Sequence, residues 1–102
     1  MNKKEELLKK IERKMIDFFE NVIIYKNYNN DIIGLEIKKL TKNTLTITVK
    51  TRRPGLFIGC KGTTIIELSD FLKKELHFKK IKFNIIEDML WSGSYFEMRY
   101  LY

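Results

Sequence analysis

The segment Arg53-Pro54-Gly55-Leu56-Phe57-Ile58-Gly59-Cys60-Lys61-Gly62-Thr63-Thr64-Ile65 constrains the fold of this chain more than any other. It sets a G-x-x-G loop, Gly59 to Gly62, between two short apolar stretches. Glycines three residues apart let a backbone turn tightly and let another chain approach where a Cβ would otherwise stand. A helix beginning at Gly62 or Thr63 aims its unpaired N–H groups and the positive end of its dipole over that loop. A phosphate or a phosphodiester backbone is the natural ligand of such a surface. The spacing alone is common, so its neighbours carry the weight.

Those neighbours are basic. The chain has 20 Lys and Arg against 13 Asp and Glu, a formal net charge of +7. Residues 26–62 account for most of the excess, with Lys26, Lys38, Lys39, Lys42, Lys50, Arg52, Arg53 and Lys61 opposed only by Asp31 and Glu36. An evenly solvated charge coat would not concentrate in the segment that ends on the loop. The imbalance points to nucleic acid or another polyanion as partner. At 102 residues and 44 % hydrophobic composition the chain is expected to form one globular domain.

The pattern around the loop gives the architecture. Leu7, Leu8, Ile11, Met15, Phe18, Phe19 and Val22 recur at helical spacing, and Asn2 with Glu5 resembles a capping box, so residues 3–22 read as an amphipathic helix. Lys3, Lys9, Lys10 and Lys14 alternate with acids on its solvated face. Asn27 to Asp31 is a polar break. Ile33, Leu35 and Ile37, then Leu45, Ile47 and Val49, alternate with polar residues and are joined across Leu40 to Asn43 as a β-hairpin. Pro54 ends the second strand and can open a helix at its first position. Leu56 to Ile58 form a short helical turn broken at Gly59. A further helix spans about Thr63 to Leu76 and buries Ile65, Leu68, Leu72 and Leu76. Ile81, Phe83 and Ile85 mark a third strand. The result is an α+β fold, a two-layer α-β-β-α-α-β sandwich with a three-stranded sheet and helices on one face.

This order, with the G-x-x-G loop between the last two helices, resembles the type II KH domain. Leu45 to Gly55, Leu56 to Gly62 with Ile65, and Lys80 to Glu87 carry the likeness, which covers roughly residues 5–88 and is strongest to the ribosomal variety found where mRNA enters the small subunit. The resemblance implies a KH unit over residues 1–88 followed by an aromatic-rich extension, 89–102, standing without the second domain of that relative. It implies single-strand RNA clamped about four nucleotides at a time. By analogy Gly59, Cys60, Lys61 and Gly62 offer backbone N–H groups and one cation to phosphates, with Cys60 where the family commonly has a basic residue. Lys50, Arg52 and Arg53 extend the phosphate track. Ile58, Ile65 and Ile85 are candidates for an apolar floor under the bases, or else plain core. The lesser alternative for Arg52 and Arg53 is to cap the sheet edge against acids.

The expected partner is therefore single-stranded RNA, rRNA or mRNA on the ribosome, in the cytoplasm. Single-stranded DNA, or a protein partner or second copy held through the aromatic tail, are the alternatives. The tail, which carries Trp91, Tyr95, Phe96, Tyr100 and Tyr102, is expected to lie against the N-terminal helix or a second copy, burying Trp91 and Phe96, instead of stacking on bases. No cofactor, metal, membrane association or catalysis is expected. A P-loop needs Ser or Thr directly after its lysine, and Gly62 follows Lys61. Cys60 and His77 are too few for a metal site and nothing orients them as a nucleophile pair. His77 reads as a helix-end residue, and Cys60 as a small loop residue in a reducing compartment.

Overall fold

A computed structural model of the chain describes residues 3–23, 31–91 and 94–101, with side chains as far as residue 87. Asn2 of the proposed capping box and most of the polar break at 27–31 lie outside the described residues. Helix α1 spans Lys3–Asp17 and continues as a π-helical turn, Phe18–Val22. Strand β1 (Ile32–Leu40) and strand β2 (Thr44–Thr51) form the hairpin. Helix α2 (Pro54–Ile58), a 3₁₀ turn (Cys60–Gly62) and helix α3 (Thr63–Leu76) cross over to strand β3 (Lys80–Trp91). Strand β4 (Ser94–Leu101) follows. The β1–β2 pair is antiparallel and β2–β3 parallel, because a helical crossover must return the chain to the same end of the sheet before the next strand.

Alternation places the layers. Leu45, Ile47 and Val49 are fully buried on one side of β2, and Ile81, Phe83 and Ile85 are buried on the same side of β3. The helices cover that side, with Ile11, Met15, Leu68 and Leu72 at its centre. Thr44, Thr46 and Thr48 face the other way and stay half-exposed. A run of phenylalanines fixes α2 over the sheet. Phe18 meets Phe19 edge-on at 5.3 Å, Phe19 lies 5.0 Å from Phe57, and Phe57 meets Phe83 at 6.0 Å. Such pairs add about 0.5–1.5 kcal/mol beyond the area they bury. They anchor a five-residue helix that could not hold itself in water.

Two local departures from the sequence pattern have physical causes. Val22 belongs to the helical stripe by spacing yet is 56 % exposed. The π turn bonds the Ile23 N–H to the Phe18 carbonyl at 3.1 Å, so the wider turn brings Ile23, not Val22, round to the core. The sheet also has a fourth strand. The tail expected to lie on the N-terminal helix or on a second copy instead pairs its backbone antiparallel with β3, from Asn84 opposite Leu101 to Trp91 opposite Ser94. In the sequence, Ser-Gly-Ser between two apolar-aromatic runs is a hairpin signal, and the three-stranded mixed sheet is extended on that side. The side chains of Trp91, Tyr95, Phe96 and Tyr100, and the whole of Tyr102, lie outside the described residues.

His77 stands at the end of α3, where its sequence position put it, and closes the helix by backbone conformation (φ 61°, ψ 42°, left-handed). A left-handed L-residue costs roughly 1–2 kcal/mol. Glycine relieves that cost, and the freedom it adds to the unfolded chain takes back only about 0.4–1 kcal/mol. His77→Gly is therefore expected to stabilise the domain by about 0.5–1 kcal/mol, visible as a higher urea midpoint at unchanged slope.

Candidate nucleic-acid interface

The loop is built by two glycines in conformations that other residues avoid. Gly59 has φ 82° and ψ 170°, and Gly62 has φ 75° and ψ 14°. A Cβ on Gly59 would collide with Thr64, lying 2.7 Å from its backbone nitrogen. Between them Lys61 also adopts a left-handed conformation (φ 55°, ψ 26°), which lifts it onto the surface with Cys60, both exposed. The loop is tied down from within. The Gly59 N–H donates to the Gly55 carbonyl at 2.9 Å and the Gly62 N–H to the Gly59 carbonyl at 3.1 Å. The Thr63 hydroxyl and N–H both donate to the Cys60 carbonyl, the former at 2.9 Å.

That arrangement corrects the expectation that all four loop residues offer N–H groups. Those of Gly59 and Gly62 are spent inside the loop. Cys60 and Lys61 are the two whose N–H groups have no backbone acceptor among the described residues. They sit at the head of the fourteen-residue α3, whose first turn carries no acidic residue, where the partial positive charge of a helix end is least opposed.

The basic track divides. Thr51, 1 % exposed, donates its hydroxyl to the Asp31 carbonyl at 3.1 Å and accepts the Arg53 N–H at 3.1 Å. The Arg52 N–H donates to the same Asp31 carbonyl at 2.9 Å. Arg52 and Arg53 are thereby pinned directly before α2, with both side chains at the surface. Arg53 Nε also lies 3.6 Å from Asp31 Oδ2, an ion pair whose arginine is 65 % exposed and whose net worth is under about 1 kcal/mol. A phosphate can compete for it. Lys50 does not join this track. It continues the Thr44-Thr46-Thr48 row and so faces the open side of the sheet, away from the helical layer.

The apolar floor needs a larger correction. Ile85 is fully buried and Ile65 and Ile58 nearly so. All three lie on the helix or strand face that meets the other layer, and Ile65 also lines the groove along α3 described below. The exposed apolar side chains beside the loop are their neighbours, Leu56 (49 % exposed) and Ile66 (58 %). Spacing along α3 held the signal: Ile65, Leu68, Leu72 and Leu76 fill one stripe, leaving Ile66 a full step outside it. A groove of about 200 Å³ runs from there along α3 against β3, lined by Ile65, Ile66, Ser69, Asp70, Lys73 and the edge of Ile81 and Phe83. Ser69 closes part of that edge by donating to the Ile81 carbonyl at 3.4 Å.

Among the described residues no cluster of three or more His, Cys, Asp or Glu could hold a metal, and no helix is long and apolar enough to cross a membrane.

Residues 14–88 match the family model of the KH domain. The small ribosomal subunit protein uS3 of Phytoplasma australiense is 44 % identical over 61 residues, 57 % of this chain and 24 % of the relative. That of Dehalococcoides mccartyi is 38 % identical over 64 residues, covering 63 % and 23 %. In Thermotoga sp. strain RQ2 the match is 33 % over 86 residues, covering 84 % and 38 %. The chain thus spans less than two fifths of the length of these relatives.

Proposed function

This chain belongs to the KH-domain family and has its type II fold, and on that premise we propose that it binds single-stranded RNA, without catalysis, through the Gly59–Gly62 loop. The observation that carries this is the exposed Cys60–Lys61 pair at the head of α3, with one cation and two N–H groups that have no backbone acceptor among the described residues. Phosphates of the strand sit over that pair, and Arg52 and Arg53 hold the next phosphate along. Bases lie against Leu56 and Ile66 in the groove between α3 and β3. The relatives named as ribosomal proteins favour rRNA or mRNA on the small subunit as the RNA met in the cell, and the cytoplasm is the compartment this reading expects. The KH unit occupies residues 1–88 in this proposal, and the extension 89–102 serves the sheet.

Affinity for a short oligouridylate, measured by fluorescence anisotropy over a range of salt, tests the proposal. Log affinity should fall linearly with log salt. Arg52→Ala and Arg53→Ala should each weaken binding to a similar degree for different RNA sequences, since phosphate contacts carry no sequence information. Each should also flatten the salt slope by roughly 0.7 for a single strand. Salt-independent binding, or none, would exclude the loop as a phosphate clamp. Equal affinity for the matching DNA would reassign the site to single strands of either sugar.

A further inference from the structure

A second hollow lies beyond the lip of β3, on the side of the sheet that no helix covers among the described residues. It has a volume of about 770 Å³ and is lined by Lys38, Lys39, Lys73, Lys80, Lys82 and Asn84, together with Thr46, Ile81 and Phe83. Its size falls in the range of about 300–1,000 Å³ typical of ligand sites. Register explains the convergence. Lys39 pairs with Thr46 and Thr46 with Lys82, so the two lysines flank one threonine on the open face. A bulge between Ile37 and Lys39 turns Lys38 toward the same place. Lys80 and Lys82 alternate along β3, and Lys73 reaches over the lip from α3.

Two features point to a ligand. Lys38, Lys39, Lys80 and Lys82 are exposed, and none is in an ion pair among the described residues. Lys73 is held loosely by Asp70 at 3.9 Å, while Glu36, across Thr48 from Asn84, bounds the patch on its own face. Four like charges gathered without a counter-charge repel one another and are relieved by a polyanion. The second feature is Asn84. It is 5 % exposed, and its side-chain oxygen has no hydrogen-bond partner. A buried acceptor left unmade costs about 1–3 kcal/mol, which a donor on a bound ribose or base would recover.

The hollow is also continuous with the groove at the loop, since Lys73, Ile81 and Phe83 line both. Strand β4 pairs with β3 only from Asn84 onward, so the Ile81–Phe83 lip is free of a strand among the described residues. We propose that a single RNA strand leaving the loop crosses this lip and lays its next nucleotides on the open face. Lys38, Lys39, Lys80 and Lys82 hold its phosphates, and Asn84 accepts a hydrogen bond from a ribose hydroxyl or base N–H. This deepens the function proposed above and rests on it, but its failure can be told apart.

Oligouridylates about four and about ten nucleotides long separate the two surfaces, since the loop alone accommodates about four. The wild-type protein should bind the longer strand at least about tenfold more tightly, because the second contact is intramolecular. Lys38→Glu combined with Lys39→Glu and Lys82→Glu should erase that gain while leaving affinity for the short strand within about twofold. Should the Glu variant lose its far-UV circular dichroism, the corresponding triple Gln variant reads the same loss by removing charge alone. Asn84→Leu should keep or raise the melting temperature and reduce affinity only for the long strand. A gain with length that survives the triple substitution, or no gain in the wild type, overturns the open-face track. If the short strand fails to bind while the long one still depends on these lysines, the loop assignment falls and the open-face track stands.

Discussion

Cys60→Asp combined with Lys61→Asp is expected to abolish RNA binding and to leave the fold intact. Both side chains are exposed, and neither has an ion pair or side-chain hydrogen bond among the described residues. The substitution removes one cation and adds two carboxylates where a phosphate would sit. Two unit charges about 4 Å apart interact by roughly 1 kcal/mol in water and about 4 kcal/mol near a protein surface. Two new repulsions and one lost attraction together exceed about 3 kcal/mol, more than about a hundredfold in affinity. The backbone should tolerate the change. Lys61 already occupies a left-handed conformation, and aspartate visits that region more readily than most residues. The melting temperature should therefore stay within a few degrees, as for most surface substitutions, which move stability by under about 0.5 kcal/mol. Anisotropy titrations alongside thermal unfolding measure both quantities. Undiminished affinity in a folded double variant would remove the loop from the binding site.

Gly59→Ala should unfold the domain far more readily than any other single change at the loop. Its φ of 82° with ψ of 170° lies in a region open essentially to glycine alone. The added Cβ would also meet Thr64, at 2.7 Å from its backbone nitrogen, and Thr64 is fixed in the first turn of α3. Strain of this kind costs about 1–3 kcal/mol, and the clash adds to it. A loss of about 3 kcal/mol would lower the melting temperature by on the order of 15 °C in a domain of this size. Gly55→Ala is the matched control. Gly55 lies inside α2 with nothing within 4 Å of an added Cβ, so alanine there should be neutral or stabilising by up to about 1 kcal/mol. Calorimetry on the two variants reads the difference directly. Equal melting temperatures would mean that the loop backbone relaxes at little cost and that the glycine spacing serves only ligand approach.

Several parts of this protein follow from local chemistry, and these were legible in the residues. Alternation of Leu45, Ile47 and Val49 against threonines defines which face of β2 is buried, since period two leaves no other choice. Pro54 opens α2 and Thr63–Leu76 forms α3 where the apolar spacing begins and ends. The G-x-x-G loop stands between them because only glycine accepts the angles at Gly59 without strain. Each of these depends on contacts within a few residues, so the order of amino acids suffices to specify it.

What the tertiary structure alone decided depends on pairs far apart in the chain. Spacing put Ile65 inside the stripe of α3 and Ile66 outside it, but only the landing of α3 on β3 sets Ile66 beside a groove. Ile85 is buried because the crossover lays helices on its face of the sheet. Lys50 stands two residues before Arg52 in the chain; it lies in the open-face row of β2, whereas Arg52 lies past the end of the strand, pinned by its N–H to the Asp31 carbonyl. The tail could have folded onto several surfaces; Ser92-Gly93-Ser94 signals a hairpin, and the backbone ladder with β3 is what holds it to the sheet edge. The lysines of the open face lie up to about 44 positions apart, from Lys38 to Lys82; only the register of three strands, set by core packing on the other face, brings them into one hollow beside an unsatisfied asparagine.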